Sequence, residues 1–288
     1  MLGKLIKYEF KATSRMFLLM YAALILVAAI NSVLLIGGLN AGLYTSGNDL
    51  VATIYSIISA LAATVYFFAM FAVSILTFVV IVVRFYRLFG DEGYLWFTLP
   101  ATPNQHLISK LIVALVWSLA SGVVIMLSLG ILFIGQGWVQ ELWRIPQLIG
   151  EMIAMGYNPL LWLVLILIMA LVATVSGFMM FFTAIAIGPN LTKSRLGGSV
   201  LAYILVYVIT QIVATIQMVV LVFPISQINA QSYRFEAIPG SAIELLAPSA
   251  VDQVALWFFG IFIVGYTVMM VGYYLVTRYF MTKKLNLP

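Results

Sequence analysis

RFYRLFGDEGYLWFTLPATPNQHLISKL, Arg84 to Leu111, is the long polar and charged interruption between two hydrophobic runs on the basic side of the chain, and its reading decides the fold. Arg84, Arg87 and Leu88 continue the apolar run before them as the overrun of a helix, and Gly90 supplies the left-handed residue that commonly ends one. Asp91 and Glu92 suit the first turn of a new short helix, where carboxylates meet the positive end of the dipole. Tyr94, Leu95, Trp96, Phe97 and Leu99 give that piece an apolar, aromatic body, and Pro100 stops it. A helix then restarts with Thr102 as cap, Pro103 at the first helical position and Gln105 closing a capping box. The pattern is helix, short surface helix, turn, helix. On residues alone two readings stay open: an interfacial loop whose aromatics rest among lipid headgroups, or a knob that docks a soluble partner.

The sequence on either side settles what kind of chain carries this loop. Hydrophobic residues make up 64% of 288 and charged residues 8%. No soluble core hides that much apolar surface, so the chain reads as an all-α polytopic membrane protein, a single transmembrane domain over 1–288. Cysteine is absent, which excludes disulfides and thiolate metal sites, and a lone histidine, His106, excludes histidine clusters for metal, haem or triad chemistry.

Residues 1–15 read as an amphipathic elbow helix lying on the membrane. Lys4, Lys7, Lys11 and Arg15 share one face, and Leu2, Leu5, Ile6 and Phe10 the other. Glu9 falls near the middle of the apolar arc, a place that suits either burial against another helix or snorkelling to water. The first span follows from Met16 to about Gly38; it is too long for a signal peptide and lacks a small-x-small cleavage site. The second, about Leu50 to Val83, is roughly 50 Å of helix and must tilt or protrude. The third runs from about Leu111 to Ile134, and the segment after it, with Trp138 and Trp143, reads as an interfacial helix. The fourth covers about Pro159 to Ile187, the fifth Ser199 to about Phe223 and the sixth about Val254 to Val276. Between the last two lies a long outer segment, Pro224 to Gln253.

Six spans put both termini on one side. Of 14 lysines and arginines, all but Arg144 and Arg234 fall on that side, so the positive-inside rule places the termini and the 84–110 loop in the cytoplasm. The spans carry no ionisable group between the interfaces by this reading, which argues against a proton relay. Gly188 to Ser194 resembles a phosphate loop only superficially, being one residue short and lacking the glycine before Lys193. No catalytic residue, metal site or cofactor site is therefore expected on this chain, and no nucleic-acid partner. Tyr203, Tyr207, Thr210, Gln211, Thr215 and Gln217 form a polar arc on the fifth span that suits either a path for an amphiphilic substrate or hydrogen bonding to neighbouring helices.

LGKLIKYEFKATSR leading into the first span, and above all FGDEGYLWFTLPATPNQHLISKL before the third, resemble bacterial ABC exporter permeases of the type-2 class, whose ATPase is a separate polypeptide. The resemblance implies a bacterial inner-membrane location and six spans after an elbow. It implies a cytoplasmic coupling helix at about Asp91 to Leu99, with Arg84, Arg87, Asp91, Glu92, Tyr94 and Phe97 in the ATPase-docking region. It implies an outer segment, Pro224 to Gln253, that partly re-enters the membrane, and a path flanked by the second and fifth spans, with Tyr203, Tyr207, Gln211 and Thr215 along it. ATP and magnesium would then sit on partner ABC ATPase subunits, and a second permease copy or a related chain would complete the exporter among the membrane lipids. The chain itself would not be an enzyme. A standalone channel or secondary carrier, or a non-transporting membrane regulator, is the rival expectation.

Overall fold

A computed structural model describes residues 2–40, 42, 49–89, 102–135, 139–192, 194–227, 236–237, 244–245 and 248–283. Seven α-helices occur among them: α1 (Leu2–Asn40), α2 (Asp49–Arg87), α3 (Pro103–Gly135), α4 (Val139–Ala154), α5 (Pro159–Ile187), α6 (Arg195–Gln227) and α7 (Pro248–Lys283). All but α4 are long and apolar enough to cross a membrane. Helix is the expected form, because a chain in hydrocarbon must satisfy every backbone N–H and C=O internally. Many large apolar side chains, such as Leu61, Phe68 and Val264, point outward, as they do where lipid is the solvent. The described residues are thus almost entirely helical, with six helices of the kind found in multi-pass membrane proteins. Two short strands, β1 (Glu236–Ala237) and β2 (Glu244–Leu245), pair antiparallel between α6 and α7.

Three boundaries differ from the sequence reading. The expected elbow and the first span are parts of one uninterrupted helix, α1, since no glycine or proline lies between Gly3 and Gly37 to break it. Its two faces are as expected at the start: Lys4, Lys7, Lys11 and Arg15 are exposed while Leu5 is buried. Helix α6 runs through Pro224 to Gln227, and α7 begins at Pro248, so the segment between them is shorter than the expected Pro224 to Gln253. Proline at the first helical position forfeits no hydrogen bond, which suits Pro248 to its place. A helix follows the third long one, α4, with Trp143 exposed. The turn at Gly90 and the short helix at Asp91 to Leu99 lie outside the described residues, as does the segment between α6 and α7 apart from β1 and β2.

Contacts divide the chain into two compact units. The first comprises residues 1–84 and 104–144 and holds α1, most of α2 and α3. Its buried cluster takes Phe17, Tyr21, Leu24 and Ala28 from α1, a stripe at helical spacing, with Tyr66 and Val73 from α2 and Val113 and Trp117 from α3. Phe17 stacks on Trp117 with ring centroids 4.4 Å apart.

The second unit comprises residues 85–103 and 145–288. Here α5 is the central helix, burying Val175, Phe178, Met179 and Phe182, and Phe85 stacks on Phe182 at 3.9 Å. The hydroxyls of Thr183 and Thr277 lie 2.9 Å apart, and Thr183 also donates to the Tyr273 carbonyl at 3.1 Å. The short 3-10 turn Gly188–Asn190 leads from α5 into α6. Gly188 and Gly198 meet there so closely that a Cβ on Gly198 would strike the Gly188 carbonyl.

Candidate functional site

Helix α1 buries a line of residues one turn apart, Leu5, Glu9, Thr13 and Phe17. Three of the four suit an apolar or hydroxyl-lined seam; Glu9 is a carboxylate, with its side chain 3% exposed. A buried carboxylate is strongly unfavourable unless cations and hydrogen bonds replace its water. Both of its oxygens are met. Arg84, at the end of α2, donates from Nε to Glu9 Oε2 at 3.0 Å, with a second guanidinium nitrogen at 2.9 Å. Lys110, near the start of α3, donates from Nζ to Oε1 at 2.8 Å with its side chain 7% exposed, and also to the Arg84 carbonyl at 3.4 Å. A cavity of about 20 Å³ is all that remains among Glu9, Thr13, Arg84, Lys110, Trp117 and their apolar neighbours, room for one water molecule.

The polar contacts continue from this triad along one face of α3. Lys110, Trp117, Ser121 and Ser128 recur at helical spacing, so they look toward the same neighbours. The Trp117 indole donates to Thr13 Oγ1 at 2.9 Å, and Thr13 donates to the Glu9 carbonyl at 2.9 Å. Ser121 lies 2.7 Å from the Tyr21 hydroxyl and 2.8 Å from that of Thr77. Ser128 lies 2.8 Å from the Tyr66 hydroxyl. All of these but the Thr13–Glu9 bond, which lies within α1, cross between helices, the kind of glue that holds helices together where lipid is as apolar as leucine.

The polar arc of the fifth span divides between its two readings. Thr210 lies 2.5 Å from the Tyr273 hydroxyl, and the Gln217 amide donates to the Ile261 carbonyl at 3.4 Å while filling the space beside Gly265, so these two pack against α7. Tyr203 is half-buried and stacks on Phe181 with centroids 4.8 Å apart. Tyr207, Gln211 and Thr215, which follow at four-residue steps, are exposed. Around Gln217 an apolar groove of about 700 Å³ runs between α6 and α7, lined by Val213, Ile216, Val220, Leu256, Trp257 and Gly260 among others.

Of the residues expected to dock a partner, Arg84 is drawn into the triad and Arg87 is exposed on the last turn of α2. Asp91, Glu92, Tyr94 and Phe97 lie outside the described residues. Arg195, at the start of α6, donates to the Phe89 carbonyl at 2.9 Å. No protein-family model, curated protein or solved structure matches the chain.

Sequence reasoning singled out Glu9 but not its partners. Lys110 is 101 positions away and Arg84 is 75, and helical periodicity carries no information over such separations. The available signal was a carboxylate in an apolar arc together with basic residues at both ends of one loop.

Proposed function

We propose that this chain is the membrane-spanning permease subunit of an ATP-driven exporter of the ABC type-2 class. It couples through the 84–110 loop to a separate ATPase that holds ATP and magnesium. The likeness of the elbow and loop strings supports this reading, as do six long apolar helices with basic residues gathered on one side. The observation that carries it is the triad. Arg84, in the last turn of α2, and Lys110, two turns into α3, are both anchored on Glu9 of α1, so the two helices that flank the expected coupling segment are tied to a third.

In this reading the acidic start and aromatic body of Asp91 to Leu99 fill a groove on the ATPase, with Tyr94 and Phe97 as hot-spot side chains. Tyr203, Tyr207, Gln211 and Thr215 face the cargo, and a second permease copy or a related chain completes the path. The complex sits in the bacterial inner membrane with both termini in the cytoplasm.

The test is affinity purification of the tagged chain from the membranes of its host, with the co-purified proteins identified and ATP hydrolysis measured. An ATP-binding-cassette ATPase should accompany the parental chain and bring the hydrolytic activity with it. Phe97→Ala should weaken that association by about 2 kcal/mol, and Glu92→Lys should add charge mismatch. Ion-gradient-driven uptake by the purified chain alone would overturn the reading in favour of a carrier.

A further inference from the structure

Glu9 is placed where a carboxylate has no packing reason to be. Its neighbours on the buried line of α1 are apolar or hydroxyl side chains, and an apolar residue there would pack among Val80, Ile81, Val113 and Ala114 without the desolvation of a charge. Buried ion pairs are on average no more stabilising than apolar groups of similar size; the attested gain is a defined register. Register matters more in a bilayer than in water. Apolar helix faces slide past one another with little change in free energy when the surrounding solvent is itself hydrocarbon.

The triad removes that freedom at one level of the first unit. Glu9 Oε2 receives α2 through Arg84, Oε1 receives α3 through Lys110, and Lys110 reaches back to the Arg84 carbonyl. Three helices therefore meet on one carboxylate. The chain leaves this unit at Arg84, a member of the triad, and re-enters it at Asn104, less than two turns before Lys110.

We propose that Glu9 is a positioning residue for coupling. It locks α2 and α3, the helices on either side of the 88–102 connection, to α1, so that displacement of that connection moves α1, α2 and α3 together instead of being absorbed as slippage between them. The coupling role rests on the permease reading above; the lock itself does not.

The experiment has two arms. The chain has no cysteine, so introduced ones are unique. In the first arm, spin labels at Tyr8→Cys on α1 and Val83→Cys on α2, both exposed, report the distance between the two helices in nanodiscs. The parental chain should give one narrow distribution, Glu9→Gln a broad one, and Glu9→Asp should restore most of the narrowness. An equally narrow distribution in Glu9→Gln overturns the lock, whatever the protein transports.

In the second arm, the complex with its ATPase carries a single cysteine at Leu50, an exposed site at the opposite end of α2. Maleimide labelling is compared with and without ATP and vanadate. The labelling rate should change by about threefold in the parental complex, within the range carried by packed networks, and not change in Glu9→Gln although the ATPase remains bound. The double variant Glu9→Leu/Lys110→Leu serves if Glu9→Gln folds poorly. It leaves no lysine opposite an apolar site, and Arg84, 30% exposed, keeps access to water. A nucleotide response of parental size in either folded variant overturns the coupling role while leaving the permease reading intact. Absence of any ATPase from the parental complex overturns the permease reading and the coupling role, and the first arm still decides the lock.

Discussion

Lys110 Nζ lies 2.8 Å from Glu9 Oε1, and both side chains are almost sealed from solvent. Such a pair is asymmetric in its consequences, because deleting one member strands the other charge whereas deleting both does not. Lys110→Leu should therefore destabilise the first unit by on the order of 3 kcal/mol, and Glu9→Leu by a similar amount, while Glu9→Leu/Lys110→Leu should recover most of the loss. Thermal unfolding in detergent, run as a double-mutant cycle, measures the coupling; additive effects would mean that the two charges are solvated separately.

The turn between α5 and α6 depends on backbone contact. A Cβ at Gly198 would meet the Gly188 carbonyl, a backbone atom that cannot rotate away, whereas a Cβ at Gly177 would meet nothing within 4 Å. Gly198→Ala should cost about 2 kcal/mol through overpacking, and Gly177→Ala should be neutral or slightly stabilising through helix propensity. Melting temperatures of the two variants, side by side, check this.

Adjacent positions on α6 should respond differently. Thr210 bonds to Tyr273, so Thr210→Val should cost about 1 kcal/mol of stability. Gln211 is exposed, and Gln211→Leu should change stability by no more than about 0.5 kcal/mol, leaving any effect to transport. Comparable destabilisation by both would mean that Gln211 packs against a partner.

The positive-inside rule predicts cytoplasmic termini, since six spans would put all but two of 14 lysines and arginines on their side. Single cysteines at Gln140 and Ser232 should react with an impermeant maleimide in intact cells. One at Lys283 should react only after lysis. The reverse pattern would invert the topology.

What the sequence determined by itself was the class and the span count. Stretches such as Leu50 to Val83 are apolar over a length that only a bilayer accommodates, and that is a property of consecutive residues. It also located the restart at Pro103, the amphipathic start of α1 and the helix α4, because caps, helical faces and punctuation act within a turn or two. Boundaries were less legible: proline near a helix end permits either outcome, and α6 ran on through Pro224. Only the tertiary structure decided which polar residues meet. Sequence spacing could not say that Glu9 faces Arg84 and Lys110, or that Trp117 reaches Thr13, because each pairing depends on the rotation and register of separate helices. The same rotation decided the polar arc, turning Thr210 and Gln217 toward α7 and leaving Gln211 and Thr215 exposed, although all four are polar residues on one helix.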